Sequence, residues 1–107
     1  MPITQCSAQE LQQRLEDNED FLLLDVREAN EYAFAQIQGS LHIPLRQIPE
    51  RIQELNPEQD LVVLCHHGMR SQQACLFLEQ YGFTRLFNLV GGIDAWSLSC
   101  DTTVSRY

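Results

Sequence analysis

Of the four cysteines in this chain, at positions 6, 65, 75 and 100, Cys65 alone sits among residues that would activate it. The apolar run Leu61-Val62-Val63-Leu64 leads straight into Cys65-His66-His67-Gly68-Met69-Arg70-Ser71, and a helical pattern follows at once. A cysteine so placed ends a strand and precedes a helix N-terminus, where unpaired amides and about half a positive charge collect. Gly68 permits a tight turn that aims further amides inward as an anion nest. Arg70 adds a full charge and a planar donor fork. All three features favour thiolate over thiol, and the thiolate is the nucleophile. A cysteine taken alone is most often a packing residue. A packing cysteine needs neither a glycine three residues on nor an arginine five residues on.

Other candidates are weighed against plainer uses. His66 and His67, with Cys65 and His42, suggest a metal site, but zinc needs side chains that converge. Adjacent histidines in a tight loop are expected to point apart, so we read no metal. Asp25 and Arg27 close an earlier strand at the same end of the sheet. Asp25 is a candidate partner for Arg70 or for loop amides, and the alternative is a local ion pair, made through Arg27, with Glu28 or Glu31; a supporting, structural role is favoured for both residues. Cys75 lies one helical turn after Ser71, beside an apolar stripe, and reads as a packing residue rather than one that resolves an adduct on Cys65. Cys6 and Cys100 have no motif around them.

The elements that must position these groups follow from periodicity. Short apolar runs at 3–6, 21–26, 41–43, 61–64 and 86–90 read as strands. Ser7-Ala8-Gln9-Glu10 is a capping box ahead of Ala8, Leu11 and Leu15 at helical spacing. Further helices are expected at 28–35, at 48–55 with Pro49 in the first turn, from Ser71 with Ala74, Phe77, Leu78 and Tyr81 on one face and Gly82 at its end, and from Gly91-Gly92 through Trp96. Strands alternating with helices imply a parallel sheet with right-handed crossovers and helices on both faces. Ligands then bind beyond the carboxyl ends of the strands, which is where Cys65 falls.

Composition bounds the function. At 107 residues the chain reads as one domain, with a core at about 3–98 and a polar surface tail at 99–107. Apolar residues at 44% and charged residues at 21% are ordinary for a folded protein. Seven basic against fifteen acidic residues give a net charge of −8, which disfavours nucleic acid and anionic membranes as partners. All the basic residues are arginine, so Schiff-base and P-loop lysine chemistry are excluded. The longest apolar run is far short of the ~20 residues that cross a bilayer. The first five residues carry no signal pattern, and a cytoplasmic protein with reduced thiols is expected.

Asp25-Val26-Arg27-Glu28, Glu31-Tyr32, Ile37-Gln38-Gly39-Ser40, Ile43-Pro44-Leu45, the 65–71 loop, Gly82-Phe83 and Gly91-Gly92-Ile93-Asp94-Ala95-Trp96 follow one another in an order and spacing that resemble single-domain rhodaneses. The resemblance implies the rhodanese-like fold, α/β with a five-stranded, mostly parallel sheet and helices on both faces. It implies sulfurtransferase chemistry through a cysteine persulfide, with Cys65 as nucleophile and His66, His67, Gly68, Met69 and Arg70 as the substrate-binding loop; Ser71, Asp25 and Arg27 are read beside it as supporting residues. The expected partners are a thiosulfate-like or persulfide donor and a thiol, cyanide or protein-borne sulfur acceptor. No cofactor is expected. The chain departs from the family pattern at Ala35-Gln36, where Gly-His is common, and after Trp96, where a Gly-Pro pair is often found.

Loop length separates the rivals. Related phosphatases and arsenate reductases resemble this loop but carry C-x-x-x-x-x-R, one residue more than the six from Cys65 through Arg70. The shorter cradle suits one sulfur atom rather than a tetrahedral oxyanion. A persulfide carrier or regulatory interaction module is the alternative of a different class, and the intact Cys65 loop speaks against an inert module.

Overall fold

Strand and helix alternate through the computed structural model, which describes residues 3–107; Met1 and Pro2, part of the stretch read as lacking a signal, lie outside the described residues. The order is β1 (Ile3–Cys6), α1 (Ala8–Glu16), β2 (Phe21–Asp25), α2 (Ala29–Phe34), β3 (Leu41–His42), α3 (Ile48–Arg51), β4 (Asp60–Leu64), α4 (Met69–Gln80), β5 (Leu86–Leu89) and α5 (Gly92–Ser99). The five strands form one sheet in the order β1-β5-β4-β2-β3, and every pairing is parallel. This is the α/β architecture that the sequence resemblance implied, with the sheet wholly parallel.

The central strand explains its own sequence. In β4, alternate side chains face opposite sides of the sheet. Leu61 and Val63 enter one core with Leu24, Ile48, Ala74, Leu78 and Phe83. Val62 and Leu64 enter the other with Leu11, Leu23, Leu89, Ile93 and Trp96. Helices cover both faces, α3 and α4 on the first and α1 and α5 on the second, so a continuous apolar run is required. Each of these leucines contributes roughly 1.5–3 kcal/mol by leaving water.

Local signals set the helix starts. Ser7 Oγ accepts from Glu10 N at 3.0 Å and Glu10 Oε1 accepts from Ser7 N at 2.7 Å, completing the expected capping box. The helix expected at 28–35 is shorter, Ala29–Phe34. The one expected at 48–55 is a single α turn between the 3-10 turns Leu45–Gln47 and Ile52–Glu54. A segment this short has little helical stability of its own, and the tighter turns still bury Ile48 and Leu55. α4 begins at Met69 rather than Ser71, because Gly68 ends the loop at φ 110° and lets the helix start one residue later. Tyr81, expected on its buried face, is 60% exposed, since the helix ends before it. Among the described residues no helix is long and apolar enough to cross a membrane.

Candidate active site

Cys65 leaves β4 at the centre of the sheet, between the carboxyl ends of β2 and β5. Its loop is gripped from outside by α5. Ile93 N donates to Cys65 O at 2.9 Å and Asp94 N donates to His66 O at 3.2 Å. Two free amides at the start of α5 therefore take the carbonyls of Cys65 and His66 and fix the first part of the loop. The approach is close enough that a Cβ on Gly92 would lie 2.3 Å from Cys65 O and 2.4 Å from His66 O. Glycine at 92 is thus a condition of the loop's shape.

Inside this loop, Gly68 N donates to Cys65 Sγ at 3.0 Å. Gly68 occupies φ 110°, a conformation closed to most side chains. Ser71 Oγ lies 3.4 Å from the sulfur and donates to Asn88 Oδ1 at 2.5 Å. Asn88 is oriented by its other end, where Nδ2 donates to Gly68 O at 3.3 Å and to Gln5 Oε1 at 3.1 Å. A carbonyl only accepts, so Nδ2 must face Gly68 and Oδ1 must face Ser71. The serine proton is committed to Asn88, and in the thiol form the Cys65 proton points at Ser71 Oγ.

The arginines are paired differently from expectation. Asp25 does not reach Arg70: its Oδ2 accepts from Arg27 Nη2 at 2.6 Å, and both residues are fully buried. Arg27 also donates to Glu31 O and Ala35 O, pinning α2 at two places. A buried pair like this is a structural fixture, and removing one partner costs about 3–5 kcal/mol. Arg70 instead gives both terminal nitrogens to Glu31, at 2.6 and 2.9 Å. That hydrogen bonding, led by Arg70, holds the Glu31 carboxyl down to about 2.

His66 and His67, expected to point apart, stack with ring centroids 4.0 Å apart and 23° between planes, because the loop carbonyls are fixed to α5 and both rings leave on one side. Their nitrogens and Asp94 lie within 4.8 Å of one another. Nearly parallel rings aim their lone pairs along parallel planes, and Asp94 is already bound by Arg106 at 2.9 Å. Burial pushes the His66 imidazole below its ordinary value, so it is neutral at pH 7. Met69 is 80% exposed and lines, with Gln5, His67, Gly68, Gln72 and Val90, a cleft of about 520 Å³ beside the loop.

The tail, which composition marks only as polar, folds back onto this end of the sheet. Ser97 Oγ donates to Val104 O, and Val104 packs against the second core. Tyr107 stacks on His66 with centroids 4.0 Å apart. Its hydroxyl accepts from Arg27 Nη1 at 3.0 Å and donates to Glu31 Oε2 at 2.9 Å.

A strand-end cysteine with a loop amide 3.0 Å from its sulfur, on a five-stranded parallel sheet, invites comparison with known proteins. The model of the Rhodanese-like domain matches residues 7–99. The chain belongs to the rhodanese-like domain family. It is 42% identical to a sulfurtransferase of Allochromatium vinosum over 95 residues, which are 89% of either chain. It is 31% identical to the thiosulfate sulfurtransferase GlpE of Actinobacillus pleuropneumoniae over 83 residues, 78% of this chain and 77% of that one. A rhodanese-like domain protein from Staphylococcus aureus has the same fold, with a TM-score of 0.85, 26% identity, and coverage of 97% of this chain and 98% of that one.

The roles of three residues around this rhodanese domain's Cys65 loop escape a reading of the sequence. Asn88 stands in an apolar strand, and a polar residue at a buried strand position is the one local sign of it. Glu31 reads as an ordinary first-turn acid of α2. Tyr107 has no local signal at all.

Proposed function

We propose that this rhodanese domain is a sulfurtransferase, moving a sulfane sulfur from thiosulfate or a persulfide to a thiol or cyanide through a persulfide on Cys65. The observation that carries this reading is the Gly68 N–H at 3.0 Å from Cys65 Sγ, in a loop whose carbonyls are turned out to α5. An N–H so fixed stabilises negative charge that develops on the sulfur during transfer, as an oxyanion hole does for oxygen.

The reaction has two halves, in ping-pong order. The Cys65 thiolate attacks the outer sulfur of thiosulfate; a new S–S bond forms, the old one breaks, and sulfite leaves with the electron pair. With a persulfide donor the leaving group is a thiolate. The acceptor then attacks the outer sulfur of the Cys65 persulfide, giving thiocyanate from cyanide or a new persulfide from a thiol, and the Cys65 thiolate returns. Gly68 holds the sulfur, Ser71 takes the thiol hydrogen bond, and the His66–Met69 stretch and Arg70 frame the approach. Sulfite and thiolate are stable as anions, so no general acid is needed. Four free cysteines suit a reducing, cytoplasmic setting.

Incubation with thiosulfate or a small persulfide, followed by intact-mass measurement, tests this. One added sulfur atom, removed by cyanide and lost in a folded Cys65→Ser variant, is expected. An adduct that survives in Cys65→Ser overturns the assignment.

A further inference from the structure

The mouth of the site contains no unengaged cation among its arginines. There is no lysine in the chain, and each of the seven arginines is paired with a carboxylate. Around the loop the pairs are Arg27 with Asp25, Arg70 with Glu31 and Arg106 with Asp94. Arg70 lies in the first turn of α4, directly after the Cys65 loop, yet its fork is filled by Glu31.

We propose that Glu31, clamped by Tyr107, is a specificity-determining residue that cancels the Arg70 charge and turns the site from small dianionic donors such as thiosulfate toward singly charged persulfides. This deepens, and rests on, the sulfurtransferase reading. Glu31 is held from four directions. Its Oε1 accepts from Arg70 Nη1 at 2.6 Å and from Glu28 N at 2.9 Å. Its Oε2 accepts from Arg70 Nη2 at 2.9 Å and from the Tyr107 hydroxyl at 2.9 Å. A donor anion that claims Arg70 must displace two charge-assisted bonds and leave a carboxylate facing it. Tyr107 is itself held, by Arg27 at its hydroxyl, by His66 under its ring at 4.0 Å and by the edge of Phe34 at 5.8 Å. The clamp therefore ties the tail, α2 and the Cys65 loop into one arrangement. Thiosulfate brings two charges on a few atoms to this neutral rim, on a protein of net charge −8. A persulfide donor brings one. The balance is the same for both: the Cys65 thiolate gains the outer sulfur, and sulfite or a thiolate departs with the electron pair.

The test is the ratio of kcat/KM for thiosulfate to that for the hydropersulfide of N-acetylcysteine amide, with cyanide as acceptor. Glu31→Gln keeps a hydrogen-bond acceptor but removes the charge, and the ratio should rise about tenfold or more. Glu31→Asp keeps the charge and should leave the ratio within roughly threefold of the wild type. Tyr107→Phe keeps the ring and loses the clamp, and should raise the ratio about threefold. A merely structural Glu31 would change both donors alike. A ratio in folded, active Glu31→Gln that stays within about twofold of the wild type, or falls, overturns this proposal alone. Failure of both donors to load Cys65 in the wild-type protein overturns the sulfurtransferase reading, and this proposal with it.

Discussion

Cys65 and Cys75 are equally hidden, at 1% and 0% exposure, yet their surroundings differ sharply. Cys65 stands at a strand end, where the chain must turn and its amides are free, and one of them reaches its sulfur. Cys75 lies inside α4, where every nearby backbone group is spent on the helix, and it packs among Val63, Leu78 and Phe83. Burial pushes its thiol up to about 12, leaving roughly one thiolate in 10⁵ molecules at pH 7. Depth alone therefore does not distinguish the two positions. What matters is whether the buried space contains donors for the charged form.

The sharpest way to break this contrast is to exchange the two thiols' availability. Cys65→Ser should abolish sulfur loading and turnover, while Cys75→Ser should load Cys65 normally; mass mapping of the adduct checks both. Next in size is the support beneath the loop. Gly92→Ala places a methyl 2.3 Å from Cys65 O, so the loop must move by about an ångström. A displacement of that size costs roughly a hundredfold in rate. Steady-state kinetics should show it in kcat, with the circular dichroism of the folded protein retained. A smaller effect is expected from packing. Cys75→Ala should lower stability by about 1–3 kcal/mol in denaturant melts, with turnover within about twofold of the wild type.

The smallest effect concerns pH. Glu31 is held down to about 2 in the fold, against an ordinary carboxyl near 4.3. Its contribution to stability is thus complete above the ordinary value and is lost as pH falls from there through about 2. The difference in Tm between the wild type and Glu31→Gln should be present at pH 7, shrink below pH 4 and vanish only below about pH 2. A difference independent of pH would mean that the ionised carboxylate stabilises nothing beyond what an amide does.

Much of this was legible in the chain itself. The strand run 61–64, the helix signals after Gly68 and the placing of Cys65 between them depend on neighbours in sequence, and local rules govern them. The capping box at Ser7 and Glu10 was readable for the same reason. The 48–55 segment departs from one helix because three apolar residues at helical spacing fit several short turns equally well, and the core they enter chooses among them.

Sequence by itself determined which cysteine ends a strand, which glycine lets the loop turn beneath it, and the family to which that order of motifs belongs. Tertiary structure alone decided the partners. Arg70 meets Glu31 across 39 positions, Ser71 meets Asn88 across 17, and Tyr107 meets Arg27 across 80. No local preference encodes such contacts, because each arises when parallel strands bring their carboxyl ends side by side and a distant segment is laid over them. The same closure explains Gly92, whose missing side chain matters only because α5 returns to within bonding distance of the loop that Cys65 begins.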